Sequence, residues 1–388
     1  MASPLIEGPR ACTKAELPEA IALVDRVMRG GTGQSFLIDY PLVYLDENLE
    51  NIRILKVDGE VASEVPFLSR PVEIGGCRFT IGVISPTATA PEHRRKGYGL
   101  RCLNSCIEKM TRMDIDLSVL WTLAETFPFY EKGNYQAVRP QCCTYRCRRE
   151  DSALFADHGR KIVRYDPRTR RYVEDIRAMH GCEITGVVRT AEQYPPLLDL
   201  PKMKTLVALR RGESEAYLIV SRAANKPGLV EAGGEPPGVE TLVHHALSEL
   251  AEGEHLFAYE YLTPTVLGDL LRRKKPGRSQ PTAGNMMVRI NNVRRFMERI
   301  APWVEEGGAG ADRRFSLAVA DAGELIGFEF CSGRLALGSA KFETHVELSV
   351  RELTSIVFGP HPERPVATPE VLKDLFPFYF PIWMMDHS

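Results

Sequence analysis

The chain has 388 residues, enough for two or three domains, and 44% of them are hydrophobic, so each domain has enough apolar side chains for a core. Lys and Arg total 49 against 51 Asp and Glu, and this balance argues against a dedicated nucleic-acid binder. Nine irregularly spaced cysteines argue against a secreted disulfide framework. The amino-terminal sequence MASPLIEGPRACTKAEL lacks a signal-peptide core, and no run approaches the ~18 apolar residues of a membrane span. We therefore expect a cytoplasmic protein without a membrane partner.

The first part of the chain predicts a helix followed by an antiparallel meander. Residues 17–29 carry apolar side chains at helical spacing and end at Gly30. The sequence IRILKVDGEVASEVPFL predicts two strands around an Asp58-Gly59 hairpin turn. A third strand and, after two glycines, the stretch RFTIGVISPTATA complete the meander. The sequences LRCLNSCIEKMTRM and DIDLSVLWTL then predict a helix and a half-buried strand.

The pattern restarts near residue 150. TLVALRRGESEAYLIVSR predicts two strands, and GLVEAGGEPPGVETLVHHALSELA predicts a strand, a loop and a helix. Residues 270–284 are basic and unpatterned, which indicates a linker or an exposed loop. The third part, from MMVRINNVRRFMERI onward, contains short strands with helices at either end. The chain closes on LFPFYFPIWMMDHS, which is too apolar to remain in water and is expected to pack into a groove.

A short cysteine cluster offers the densest set of metal-binding residue types. Cys142, Cys143 and Cys147 lack further ligands at paired spacing, so small side chains of a strand explain them better than zinc does. We expect no metal.

The turn PEHRRKGYG between a predicted strand and a predicted helix suits an anion. A helix start exposes unpaired backbone N–H groups and a positive dipole end. Gly97 and Gly99 would let a phosphate approach the backbone, and the basic side chains before them could reach further oxygens. The turn has neither the Gly-Lys-Ser/Thr of a Walker loop nor a full dinucleotide fingerprint. Taken alone, the short R-x-x-G-x-G pattern favours an exposed basic turn whose glycines serve only geometry.

The order strand, R-x-x-G-x-G, helix, strand and then ETFPFYEKGNY resembles the acyl-CoA-binding core of the GCN5-related N-acetyltransferases (GNAT) over roughly residues 14–147. YPLVYLDENLENIRIL, NMMVRINNVRRFMERI, VELSVRELTSIVFG and the short aromatic end together resemble the Eis-like (enhanced intracellular survival) family. This resemblance implies a mixed α/β and α+β fold: a catalytic GNAT domain at 1–150, a degenerate GNAT-like domain at 151–284, and a sterol-carrier-protein-like domain at 285–388 whose tail reaches the active site.

The resemblance also implies acetyl-CoA as cosubstrate, a primary amine as acceptor, direct attack in a ternary complex, and a hexamer. Tyr130 matches the tyrosine that protonates the departing thiolate, and the free carboxylate of Ser388 matches the general base. The cofactor-binding positions implied are Thr87, Ala88, Thr89, Arg94, Arg95, Lys96, Gly97, Tyr98, Gly99, Leu100, Glu125 and Thr126.

The chemistry is consistent with these roles. An alkyl ammonium of pKa ~10.4 must lose a proton before attack, and a phenol of pKa ~10 can protonate a thiol leaving group of pKa ~8.5. His387-Ser388 replaces the aromatic residue that usually ends this family, so His387 or Asp386 remain alternative bases. The acceptor could be an aminoglycoside, a polyamine or a lysine. A lipid-binding protein and a non-catalytic acyl-CoA sensor remain alternative functions.

Overall fold

The structure, a computed structural model, describes residues 3–30, 32, 34–140, 142–183, 186–223, 227–277, 279–281, 285–308 and 312–387. It divides into two compact units, and each combines separate stretches of the chain. The first unit is Met1–Arg139 with Gly284–Phe378, and the second is Pro140–Ala283 with Tyr379–Ser388. The division into three successive domains stays a prediction.

The strands are β1 (Ile6–Ala11), β2 (Ile52–Val57), β3 (Glu60–Ile74), β4 (Cys77–Ile84), β5 (Ala88–Thr89), β6 (Leu117–Trp121), β7 (Gln136–Ala137), β8 (Cys142–Arg148), β9 (Lys161–Arg164), β10 (Gly186–Val187), β11 (Met203–Arg210), β12 (Glu213–Ser221), β13 (Gly228–Gly234), β14 (His255–Tyr261), β15 (Ser279–Pro281), β16 (Met286–Ile290), β17 (Arg313–Val319), β18 (Glu324–Cys331), β19 (Arg334–Gly338) and β20 (His345–Leu348). The α-helices are α1 (Leu17–Arg29), α2 (Phe36–Asp39), α3 (Tyr98–Arg112), α4 (Phe127–Glu131), α5 (Val173–Gly181), α6 (Tyr194–Leu198), α7 (Pro236–Ser248), α8 (Val266–Lys274), α9 (Val293–Arg299), α10 (Ala301–Gly308), α11 (Val350–Phe358) and α12 (Glu370–Lys373).

The main sheet of the first unit runs in the order β1-β2-β3-β4-β6-β16-β7, with β5 paired to β3. Its strands pair antiparallel except β4 and β6, which are parallel and are connected through α3. A crossover helix is the usual way to join two parallel strands. The apolar face of α3, which includes Cys102, Leu103 and Cys106, packs on this sheet in a fully buried core.

The meander confirms several local predictions and corrects one. Helix α1 has the predicted bounds and ends at Gly30, whose φ of 54° is left-handed. Asp58 and Gly59 both have positive φ, as a two-residue hairpin turn requires. The predicted second and third strands are one continuous strand, β3. It pairs with β2 up to Pro66 and with β4 from Phe67 onward. The sequence pattern changes where the partner strand changes, and from the sequence this change indicates the end of a strand.

A strand from the third part of the chain completes the main sheet. Strand β16 pairs with β6 along its whole length and with β7 on its other side. The following strands form a separate four-stranded sheet, in the order β19-β18-β17-β20, within the same unit. Phe315 and Phe328 stack on it with ring centroids 4.7 Å apart, and both are buried.

The second unit repeats the plan of the first. Its sheet runs β15-β8-β14-β13-β12-β11-β9, and β13 and β14 are the parallel pair, connected through α7. Strands β11, β12 and β13 and helix α7 confirm the predicted elements, and Cys142–Arg148 forms the predicted strand. The mixed α/β fold class is thus confirmed.

The basic stretch at 270–284 is not only a linker. Its first residues end helix α8, where Leu270 and Leu271 are buried and the basic side chains lie on the other faces. Thr265 caps this helix by accepting a hydrogen bond from the Gly268 N–H, so the amphipathic pattern begins before the charges do. Residues 278 and 282–284 lie outside the described residues.

None of the helices in the described ranges has both the length and the hydropathy that crossing a bilayer requires.

Candidate functional site

The turn before α3 has a backbone arranged for an anion. Arg95 and Gly97 have φ of 61° and 80°, both left-handed, and Gly97 is the residue that precedes the helix. Within the described ranges, no side-chain hydrogen bond caps this helix end, and the first backbone bond of the helix is the one from the Arg101 N–H to the Gly97 carbonyl. The N–H groups at the start of α3 are therefore available to a ligand.

A cleft of about 340 Å³ opens over this turn. Its lining residues are Thr89, His93, Arg94, Arg95, Gly97, Tyr98, Gly99, Leu100, Phe129 and Lys132. Four cationic side chains are exposed there: Arg94, Arg95, Lys96 from the same turn, and Lys132. The Arg94 Nε donates to the Thr89 carbonyl at 3.3 Å, which ties the turn back to strand β5. Exposed cations around free N–H groups suit a pyrophosphate.

Gly99 is the position where the helix approaches the strand most closely in this turn. A Cβ there would lie 2.9 Å from Thr89 Oγ1 and 3.4 Å from the Phe129 ring. Gly97, in contrast, has open space around its missing Cβ, and it is required for its positive φ alone. The two glycines thus serve different purposes in one loop.

Strands β4 and β6 separate just before the turn. Their parallel pairing covers only Ile81–Val83 with Leu117–Val119. Beyond this pairing, β5 pairs Ala88 and Thr89 with β3, and Thr87 is the last residue of the segment that connects β4 to β5. Strand β6 instead stays fixed to β16. Among the described strands, β5 pairs only with β3, so its other edge has no strand partner and offers a place where an extended ligand can pair.

Tyr130 lies at this opening, on helix α4. It is buried in the α3 core, and its ring packs edge-on against Phe129 at 4.8 Å. Burial raises the pKa of Tyr130, while the Thr87 and Thr122 hydroxyls oppose the rise. Thr87 Oγ1 is itself buried and has no partner of normal hydrogen-bond geometry among the described residues. The phenol therefore stays protonated and lies among small hydroxyls at the separation of the strands.

The predicted site residues are thus brought together to different degrees. Thr89, Arg94, Arg95 and residues 97–100 line the cleft, whereas Tyr130 lies beside Thr87 and is linked to the cleft through its neighbour Phe129. Glu125 and Thr126 lie on a 3-10 turn after β6, where Glu125 is exposed and Thr126 donates to the Leu123 carbonyl. Their contact with a cofactor stays a prediction.

Two further residues at the site, Lys132 and Glu64, are not among those predicted from the sequence. Lys132 follows Tyr130 by half a helical turn, and the letters EK after FY are the signal for it. Glu64 lies on β3 opposite Ala88, and its buried side chain accepts a hydrogen bond from Tyr44 at 2.9 Å. Its Oε2 has no hydrogen-bond partner in the described part of the chain, and burial raises its pKa to about 8. No local motif distinguishes it from an ordinary strand glutamate.

The carboxy-terminal residues are described only in part. Ser388 and the side chain of His387 lie outside the described residues, so the role predicted for Ser388 stays a prediction. The preceding apolar residues are buried, among them Phe380, Ile382 and Trp383, which confirms that the tail packs against the protein. Asp386, considered as an alternative base, is buried and bound by Arg189. A carboxylate held in this way is a poor proton acceptor.

In the described residues, no group of three or more His, Cys, Asp or Glu side chains has the arrangement of a metal site.

Residues 9–138 match the family described as acetyltransferase (GNAT) domain. The first unit therefore contains an acetyltransferase domain, which confirms the predicted enzyme class, an acetyl-CoA-dependent N-acetyltransferase. No curated protein matches the sequence.

Several solved structures share the fold over most of the chain. A conserved protein from Enterococcus faecalis, described as a probable N-acyltransferase, has a TM-score of 0.69 at 16% identity, covering 92% of this chain and 90% of that one. A GCN5-related N-acetyltransferase from Anabaena variabilis has a TM-score of 0.65 at 15% identity, with coverage of 92% and 90%. Eis1 from Mycobacterium abscessus has a TM-score of 0.62 at 14% identity, with coverage of 97% and 99%. At these identities the likeness shows the fold alone.

Proposed function

We propose that the chain transfers the acetyl group of acetyl-CoA to a primary amine by direct attack within a ternary complex. The observation that carries this proposal is the position of Tyr130. Its buried hydroxyl lies beside Thr87 and Thr122 where β4 and β6 separate, next to the basic cleft at the start of α3.

In this proposal the cofactor is held mainly by backbone. The N–H groups at the start of α3 bind the pyrophosphate, and Arg94, Arg95, Lys96 and Lys132 neutralise it from outside. Residues 87–89 pair with the pantetheine arm as an added strand would. The thioester carbonyl then lies at the opening between β4 and β6, where backbone N–H groups can stabilise its developing negative charge.

The transfer forms one N–C bond and breaks one C–S bond. The amine gives up a proton to a base, its nitrogen attacks the acetyl carbonyl, and the tetrahedral intermediate expels the CoA thiolate. Tyr130 donates its proton to that thiolate, and the raised pKa keeps the proton on the phenol until the thiolate forms. The nitrogen loses a second proton as the amide forms, and the phenol regains a proton from solvent, which closes the cycle. No cysteine adjoins Tyr130 in the sequence, which favours direct attack over an acyl-enzyme.

The terminal carboxylate of Ser388 is our first candidate for the base. An isolated terminal carboxylate of pKa ~3.5 is a weak base, and burial would strengthen it. Glu64 is the second candidate, because it lies opposite Ala88 and its Oε2 has no hydrogen-bond partner among the described residues. Its raised pKa of about 8 makes its carboxylate a stronger base than an ordinary glutamate. It would act through a water molecule, since its side chain is fully buried.

We further propose that the chain is Eis-like as a whole. Three features support a degenerate second domain and a sterol-carrier-like third domain. They are the similar order of seven strands in the main sheet of each unit, the separate four-stranded sheet, and the buried tail. A hexamer and an aminoglycoside, polyamine or lysine acceptor follow from the same resemblance.

The proposal is tested by CoA thiol release with a panel of polyamines, aminoglycosides and lysine peptides. Acceptor-dependent release that is lost in Tyr130→Phe supports it. Tight CoA binding without release for any amine would favour the acyl-CoA sensor, and lipid extracted with the purified protein would favour the carrier.

A further inference from the structure

The second unit buries an arginine between two carboxylates. Arg189 donates to Asp386 through Nε and Nη2 at 2.7 and 3.0 Å, and to Glu231 through Nη1 and Nη2 at 3.0 and 2.6 Å. The side chains of Arg189, Asp386 and Glu231 are 1%, 0% and 0% exposed. All three charges are thus withdrawn from water, and the arrangement is bidentate on both sides.

The neighbours of this triad complete its hydrogen bonding. The Tyr217 hydroxyl donates to Glu231 at 2.9 Å. The His180 ring contacts the Tyr194 hydroxyl through Nδ1 at 2.9 Å, and burial together with Arg189 lowers the pKa of His180, so the ring is neutral. The Arg189 guanidinium lies 5.8 Å from the Tyr194 ring centroid. Burial alone would lower the pKa of Arg189, but Asp386 and Glu231 raise it well above its ordinary value.

The triad joins the end of the chain to the second sheet. Asp386 belongs to a 3-10 helix, Met384–His387, that contacts β13, and Glu231 lies on β13. Trp383, just before this helix, packs edge-on against His180 of α5 with centroids 5.7 Å apart. An ion pair and an aromatic contact therefore hold the same short segment against one unit.

The strand that receives the tail is the counterpart of β4. Strand β13 is paired with β14 only at Gly228 and Leu229, so Glu231 lies beyond the point where the strands separate. In the first unit the equivalent separation follows Val83 and is where the proposed cofactor lies. The second unit lacks a basic glycine turn at this place: β13 leads through Glu235 into Pro236 at the start of α7. Pro236 and Pro237 remove backbone N–H donors from the first turn of α7, which disfavours a phosphate there.

We propose that the second unit is a holder for the carboxy-terminal tail, and that Arg189 is a positioning residue that fixes Asp386 and thereby the last residues of the chain. The catalytic consequence rests on the proposed function, in which the terminal carboxylate accepts the proton of the amine. Asp386 precedes Ser388 by two residues, a reach of at most ~7 Å, so fixing Asp386 restricts the terminus to a small volume.

The test separates the fixing of the tail from its catalytic effect. Arg189→Met and Asp386→Asn are compared with the wild-type full-length chain by carboxypeptidase digestion followed by mass spectrometry. We expect the residues beyond Asp386 to be removed at least ~10-fold faster in both variants, because the carboxy-terminal segment then detaches from the second unit more often. Arg160→Met removes another Arg–Glu pair of the second unit, the one with Glu215, and we expect it to digest like wild type. Wild-type protection in both triad variants would overturn the proposal.

The kinetic part measures kcat and the KM for acetyl-CoA. We expect Arg189→Met and Asp386→Asn to lower kcat at least ~10-fold and to leave the KM for acetyl-CoA within about twofold, because the cofactor site is in the first unit. Arg189→Lys should recover part of kcat by restoring the charge. If Arg189→Met does not fold, as circular dichroism would show, Asp386→Asn alone decides both readouts.

The two proposals fail in different ways. If deleting Ser388 leaves kcat unchanged while Arg189→Met still exposes the tail, the holder stands and the base proposed for the reaction is wrong. A second outcome for Arg189→Met is a lower kcat together with a changed KM for acetyl-CoA and digestion at the wild-type rate. In that case Arg189 has only a general structural role and the holder is refuted.

Discussion

Replacing Gly97 by Asp places a carboxylate where the pyrophosphate of CoA is expected. The Gly97 φ of 80° strains any residue with a Cβ, but the space around that Cβ is open, so the side chain itself fits. Asn tolerates left-handed backbone and has almost the same shape, so Gly97→Asn is the matched control. The difference between the two variants is then the charge alone.

The size of that difference follows from Coulomb's law. Two negative charges ~5 Å apart at an effective dielectric constant of ~20 repel by about 3 kcal/mol, which corresponds to a loss of affinity of roughly 200-fold. Isothermal titration with CoA measures both variants. We expect the gap between Asp and Asn to shrink at high salt, because the site is open to solvent and is screened. Equal CoA affinity of the two variants at low salt would show that the turn is a solvated basic loop.

Three further results follow from the site and the tail. Tyr130→Phe should lower kcat roughly 10²-fold or more and leave CoA affinity within about twofold. The control is Tyr135→Phe, which removes a buried hydroxyl from the neighbouring ring and should leave kcat near wild type. Equal losses of kcat in both variants would assign Tyr130 to packing. Glu64→Gln should raise the free energy of unfolding at pH 9 but not at pH 5. The folded-state pKa of about 8 lies above the ordinary 4.5, so between these pH values the folded form keeps a proton that the unfolded form has lost. The stability of the wild type therefore falls as the pH rises from 4.5 to about 8, and the substitution removes this loss. Urea unfolding at both pH values checks this, and a gain of the same size at pH 5 would contradict it. Removal of His387 and Ser388 should depress kcat and spare CoA binding, and an unchanged kcat would transfer the role of base to Glu64.

Local elements were predictable because short-range patterns determine them. Helix α1, the Asp58-Gly59 turn and strands β11 to β13 lie where periodicity and turn residues place them. The basic turn was equally accessible, since its glycines and cations are consecutive in the sequence. The long strand β3 was not, because its middle changes partner without leaving the extended conformation.

The features that could not be predicted from the sequence depend on pairings between residues far apart in the chain. Nothing in the letters MMVRI indicates that β16 completes a sheet whose other strands lie far upstream. Asp386 was considered as a base because only its distance from the chain end was visible. Its partner Arg189 is 197 residues away, and that pairing changes its role from proton acceptor to anchor. Glu64 was missed for the same reason, since its burial depends on Tyr44 and on the strand beside it.

The proposed acetyl transfer is best tested by the initial rate of CoA thiol release from acetyl-CoA, measured with and without a primary amine, for the wild type and for Tyr130→Phe. We expect release that requires the amine, yields the N-acetylated product in equal amount, and drops sharply in the variant. Release that is independent of the amine, or none with any amine despite saturation with CoA, would contradict it.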